Sequence, residues 1–211
     1  MVTVSVSKPT AELLASVIKQ SKIRKDMMTY NDKRWAKFNG SLTKGDLAYF
    51  VPVDQLSLQW MRSMFDKFCF DEVFNCKLVF YCGWFVRRKR VTGQAMFHYD
   101  QTGTGKGRSI IVPLQEMHDD DPHLLIRTKK GDISQKYVFG EAAVNYDNTL
   151  HSAQPGVSSR PLWFAHFCCG EEGMNSEQAR NAEAAVAETA TVYFSHDGVV
   201  TNSDVIFYDS D

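Results

Sequence analysis

The chain has 211 residues, of which 44% are hydrophobic, 12% aromatic and 23% charged. That is an ordinary globular composition, long enough for one domain to bury its own core without a disulfide or metal staple, and it excludes a disordered chain, a collagen and a coiled coil. A formal net charge of −1 excludes a globally basic nucleic-acid binder.

In chain order, the N-terminal MVTVSVSKPTAELL lacks the basic start, apolar stretch and cleavage site of a secretory signal. Leu13, Leu14, Val17 and Ile18 recur at helical spacing and predict a helix over Thr10–Gln20, capped by Ser7 or Thr10. A basic stretch from Lys19 to Lys37 follows, interleaved with Met27, Met28, Tyr30 and Trp35. Phe38–Val53 reads as strands around glycine turns, and Ser57–Phe68 as a short helix. Phe74–Arg88 is rich in Val, Phe, Tyr and Trp and predicts a strand, as does Thr92–Tyr99. The run from Asp100 to Gly107 is a loop, and Ser109–Leu114 a short strand. Leu124–Thr128 and Lys136–Phe139 are expected as strands flanking a turn at Lys130-Gly131-Asp132. Residues 140–160 read as mostly irregular. Pro161–Cys169 is an apolar strand, and Asn175 with Gln178 three residues on predicts a capped helix to Glu188. Thr189–Ser195 and Val205–Tyr208 are the last strands. Many short strands and few helices predict a mainly β, antiparallel sandwich with a short N-terminal helix and one or two inserted helices.

Charge is unevenly spread. Residues 1–40 carry eight Lys/Arg against three Asp/Glu, whereas residues 171–211 carry one Arg against nine acids. Such asymmetry suits two faces that meet different partners. The densest basic run, Arg87-Arg88-Lys89-Arg90, together with Lys19, Lys22, Arg24 and Lys25, forms the candidate nucleic-acid contacts, since each phosphate neutralised adds affinity.

Three segments resemble chemical motifs. Gly103-Thr-Gly-Lys-Gly-Arg-Ser109 has glycines around a lysine, but Asp100 occupies the first glycine position of a phosphate loop and Gly107 stands where Ser or Thr is required. His118-Asp-Asp-Asp-Pro-His123 holds metal-ligating residue types, although an acidic surface loop accounts for them equally. His166-Phe-Cys-Cys169 places His166 and Cys168 on one face of a strand, where imidazole and thiol are neighbours, within a core-like apolar run. Five cysteines without a CxxC pair argue for reduced thiols inside a cell, and no apolar run is long enough to span a membrane. None of these motifs names a reaction, so no enzyme activity and no cofactor are expected.

A non-secreted, β-rich chain of this length preceded by a basic segment resembles the single jelly-roll capsid (coat) proteins of small non-enveloped RNA viruses. The resemblance implies a basic arm over residues 1–35 and a jelly-roll β-sandwich over 36–211. It implies a structural protein that self-assembles as a homo-oligomeric shell and packages viral RNA, located in the virion and, during assembly, the host cytoplasm. The alternatives are a viral movement or accessory nucleic-acid-binding protein on a related fold, and a β-sandwich carbohydrate-binding module or hydrolase.

Overall fold

The computed structural model describes residues 2–19, 27–30, 47–91, 94–101 and 103–202. Seven strands form a large sheet in the order β1 (Val2–Ser5), β8 (Glu141–Tyr146), β5 (Gly107–Pro113), β10 (Gly156–Glu171), β4 (Leu78–Val91), β3 (Leu47–Pro52), β2 (Met27–Tyr30). Three more form a small sheet in the order β7 (Gly131–Gln135), β6 (Leu124–Thr128), β9 (His151–Ala153). A separate hairpin of β11 (Val192–Ser195) and β12 (Gly198–Thr201) packs on the large sheet, with the Phe194 ring 6.1 Å from that of Phe80. Every pairing among the described strands is antiparallel, so the mainly β, antiparallel reading holds.

The helices are α1 (Lys8–Lys19), α2 (Gln55–Asp66), α3 (Phe70–Phe74) and α4 (Ser176–Ala187). Leu14 and Ile18 of α1 are buried, the stripe its spacing demands. α2 begins in a capping box: Asp54 accepts from the Ser57 amide at 2.8 Å while Ser57 Oγ accepts from the Asp54 amide at 3.2 Å. Its Phe65 meets Phe80 and Phe167 at ring separations of 5.2 and 5.6 Å, so α2 covers the outer face of the large sheet. Gly83 permits that approach. A Cβ there would stand 2.9 Å from Met61 Cε, from Phe167 Cδ1 and from the His166 carbonyl. α4 starts at the expected box of Asn175 and Gln178.

The inner face of the large sheet packs on the small one. Leu124 from β6 joins Ala143, Leu162 and Phe164 from the large sheet, with Tyr137 between. In β4 and β10, side chains alternate between the two faces, which sends Trp84, Val86, Arg88, Phe164 and His166 inward.

Several expectations are corrected. Residues 140–160 are not irregular: β8, β9 and the start of β10 lie there, built from small residues such as Ala142, Ala143 and Gly156 whose β signal is weak. The strand expected at Lys136–Phe139 is β7 instead, because Gly131 closes a tight turn with φ of 120° and pairing starts at once. The described part of Thr92–Tyr99 is no regular strand; only His98 bridges to His151. β12 follows Asp197-Gly198 directly. Val205–Tyr208 and the boundary at residues 35 and 36 lie outside the described residues.

Candidate metal centre

The site is built where the chain between β4 and β5 crosses the start of β9. His98 and His151 exchange both backbone hydrogen bonds, at 2.9 and 3.0 Å, and their rings lie 4.6 Å apart. Asp100, two residues beyond His98, returns to the same side of the extended segment. The Arg127 guanidinium, stacked 3.7 Å over the Phe97 ring, ties this segment to β6. One donor atom from each of His98, Asp100 and His151 lies within 4.8 Å of the others. Among the described residues this is the one group of histidines, cysteines and carboxylates so arranged.

Hydrogen bonding fixes how the two rings present themselves. His98 Nδ1 lies 2.9 Å from the Met96 carbonyl, and His151 Nδ1 lies 3.0 Å from the Thr149 carbonyl. A carbonyl only accepts, so each Nδ1 carries the proton and each neutral ring leaves Nε2 bare. Those bare atoms stand 3.4 Å from Asp100 Oδ1 and 3.3 Å from Oδ2. Two lone pairs facing a carboxylate repel unless a cation, a metal ion or a proton on Nε2, lies between them. Asp100 Oδ2 is buried and has no hydrogen-bond partner of its own. Locked Nδ1–H groups with convergent Nε2 atoms are the arrangement in which histidines ligate metals. The residues present therefore fit a divalent ion.

Electrostatics agree with the geometry. Burial alone would raise the Asp100 carboxyl, but His151, His98 and His166 outweigh it and hold the group well below the usual carboxylate range. Burial works against a charged His98, yet Asp100 and the Met96 carbonyl raise its proton affinity. Burial dominates at His151 and lowers it. It pushes His166 down to about 4, with Asp100 opposing and the other two histidines assisting.

These groups line a cavity of about 250 Å³ between the sheets. Its walls are mainly apolar, with Leu47, Val86, Ile111, Leu124 and Phe164 among them, and Tyr49, Tyr137 and Arg88 also face it. Arg88 is 4% exposed. It donates to the Gln154 carbonyl, its Nε has no partner, and among the described residues no carboxylate lies within ion-pair distance. Arg62, Arg108, Arg127 and Arg160 each have one, on Asp66, Glu171, Asp132 and Asp121.

Of the sequence-derived candidates, Arg88, His166 and Cys168 line the cavity, and the rest fall elsewhere or outside the described residues. Of the eight basic residues, Lys22, Arg24 and Lys25 lie outside the described residues, and Lys19 ends α1. Arg87 to Arg90 lie in β4, with Arg88 turned inward and Lys89 and Arg90 exposed. In the acidic loop, Asp121 is held by Arg160 at 3.1 and 3.0 Å, Asp119 pairs with Lys136, and His123 contacts Ser134 Oγ. The glycine loop is closed on itself and on α4: the Gly107 and Gly105 amides donate to Thr104 and Asp147, and Gly103 accepts from Asn181. His166 and Cys168 do share a face and line the cavity, whereas Cys169 is buried away from it. The reading missed His98, Asp100 and His151. The available signal was the His-x-Asp spacing, which puts both side chains on one side of an extended chain.

No protein-family model matches the sequence, and no curated protein matches it. Solved structures do. The chain is similar in fold to the non-heme alpha-ketoglutarate-dependent epimerase SnoN of nogalamycin biosynthesis, in complex with Fe³⁺, alpha-ketoglutarate and nogalamycin RO. Identity is 11% over 80% of this chain and 78% of that one, with a TM-score of 0.57. The carbocyclase SnoK of the same biosynthesis gives 9%, 80%, 78% and 0.55. A prolyl-4-hydroxylase of Pseudomonas putida gives 12%, 82%, 92% and 0.51.

These likenesses overturn the capsid resemblance. The fold is like that of the non-heme epimerase and carbocyclase, and its interior holds a mainly apolar cavity with His98, Asp100 and His151 at its wall. The expectations of a non-enzyme, of a self-assembling homo-oligomeric shell, of viral RNA as partner, and of a movement protein or carbohydrate module are corrected with it. Strand number and a basic N-terminal segment, on which the resemblance rested, describe organisation, and one organisation hosts many functions.

Proposed function

We propose that this protein is a non-heme iron enzyme that uses alpha-ketoglutarate to oxidise a second substrate. The observation that carries the reading is the convergence of His98 and His151 Nε2 on the buried Asp100 carboxylate, with both Nδ1 atoms committed elsewhere. Two histidines and one carboxylate that leave positions open are the donor set of Fe(II) oxygenases. His98, Asp100 and His151 would hold the iron. Iron held there supplies redox and dioxygen chemistry that side chains cannot.

Arg88 supports the co-substrate. An unpaired buried guanidinium is costly, and a carboxylate arriving in this low-dielectric space meets it with a charge-assisted hydrogen bond. Alpha-ketoglutarate, bound in the SnoN complex, brings two carboxylates. Tyr49 and Tyr137 line the cavity with Arg88, and the surrounding aliphatic walls keep bulk water from the ion pair. On this reading the two sheets are wound in the jelly-roll-like manner of the oxygenases rather than of the capsids.

The test is an anaerobic titration of the purified protein with Fe(II) and then alpha-ketoglutarate, followed by visible absorption. One Fe(II) per chain and a charge-transfer band that grows with alpha-ketoglutarate are expected, both lost in His151→Ala. Absence of Fe(II) uptake, or binding of alpha-ketoglutarate that is indifferent to the metal, overturns the proposal.

A further inference from the structure

A line of buried polar side chains runs along the inner face of the large sheet, away from Asp100. His166 on β10 contacts Ser109 Oγ on β5 through its Nε2, and the same Nε2 lies 3.8 Å from Asp100 Oδ2. Ser109 pairs across the strands with Cys168 on one side and Asn145 of β8 on the other, so Ser109, Asn145 and His166 share a face. Ser109 and Asn145 are each 1% exposed. Neither the Oδ1 nor the Nδ2 of Asn145 has a partner, and Asp100 Oδ2 has none.

For stability alone this is a poor choice. A buried amide left without hydrogen bonds costs about 1–3 kcal/mol, and an aliphatic residue of similar shape would avoid that. The inward neighbours Ala143 and Ile111 show that apolar residues fit the same face. Local rules broken in a core mark residues retained for the site they serve.

We infer that His166, Ser109 and Asn145 form a positioning relay for Asp100. His166 Nε2–H donates to Ser109 Oγ, and the same edge of the ring faces Asp100 Oδ2 from 3.8 Å, beyond hydrogen-bond reach. The Ser109 hydroxyl is thereby left to donate toward Asn145, directly or through an ordered water. The ring so fixed bounds Oδ2 on the sheet side, and Oδ1 is the oxygen presented beside His98. The Trp84 ring, 4.4 Å from His166, keeps the imidazole in that plane. Side chains that orient the ligands of a metal site are felt in its affinity, typically by about 10- to 100-fold. This inference rests on the metal centre proposed above.

The experiment is Co(II) titration of the full chain, read by visible d–d absorption, with the melting temperature of each metal-free variant measured alongside. His166→Phe and Ser109→Ala are expected to bind Co(II) at least tenfold more weakly and with an altered spectrum, His166→Gln to recover part of the loss, and Asn145→Leu to melt no lower than the parent while binding several-fold more weakly. Parent-like Co(II) affinity and spectrum in His166→Phe, Ser109→Ala and Asn145→Leu overturn the relay, as does a lowered melting temperature with affinity unchanged, which marks a packing role. A parent chain that takes up no Co(II) overturns the metal centre itself, and the relay with it.

Discussion

His98 and His151, fifty-three residues apart in the chain, are joined by a reciprocal pair of backbone hydrogen bonds, N to O and O to N. Among the described residues that pair is the backbone pairing between the β4–β5 connection and the small sheet, and it places both imidazoles beside Asp100. On the proposed function, metal binding and the docking of this connection are one event. Saturating Co(II) at about 100 times its dissociation constant should stabilise the parent by about 2.7 kcal/mol. His98→Ala and His151→Ala should show none of that gain, as read by thermal melting with and without Co(II).

Arg88 gives a prediction of opposite sign for binding and stability. Replacing the unpaired guanidinium with a methionine removes a buried charge, so Arg88→Met should be as stable as the parent or more so, by about 1 kcal/mol or more. Its affinity for alpha-ketoglutarate should fall at least tenfold while Co(II) affinity changes less than twofold. Calorimetric titration of the Co(II)-loaded protein checks both. Equal alpha-ketoglutarate affinity would remove Arg88 from the co-substrate site.

Tyr137 should be visible in alkaline unfolding. Burial, opposed by Arg88, pushes its hydroxyl up to about 12 from the ordinary 10. Between those values the unfolded chain has released the proton and the folded one has not, so stability falls as pH rises through about 10 and levels near 12. The difference amounts to about 2–3 kcal/mol. Burial pushes the Cys82 and Cys169 thiols in the same direction. Tyr137→Phe should therefore lose less stability than the parent from pH 9 to 11 in urea melts. Parallel curves would show that Tyr137 titrates normally.

On the outer face, Phe167 lies at the meeting of Phe65, Phe68 and Phe70, with ring separations of 5.6, 5.9 and 6.0 Å. Phe167→Ala should cost about 3–5 kcal/mol. Asp54→Ala, which removes the α2 cap, should cost about 1 kcal/mol. Denaturant melts distinguish the two by size.

The elements that bury large side chains were legible in the sequence. The aromatic and aliphatic run of β4, the apolar stretch of β10, and the caps and stripes of α1 and α4 carry their periods openly. β8 and β9 did not, because Ala142, Ala143, Ser152 and Ala153 have little β propensity and gain their place by pairing with β5 and β6. The site was hidden for the same reason. His151 lies in a three-residue strand, and His98 and Asp100 lie in a segment with one bridge, so no period announced them. Arg88 was noticed for its charge within a basic run. Only the strand's alternation separates it from Lys89 beside it, and that alternation decides which side chain meets the cavity.

The missing side chain at Gly83 sets a design rule for this molecule. Met61 of α2 presses from outside on the spot where a Cβ would be, and the His166 carbonyl bounds the same spot. An added methyl cannot enter without shifting either the helix or the strand that carries His166. Selectivity could thus be altered by remote repacking: a smaller side chain in place of Met61, combined with alanine at Gly83, offers a way to shift His166 while every cavity-lining residue keeps its identity.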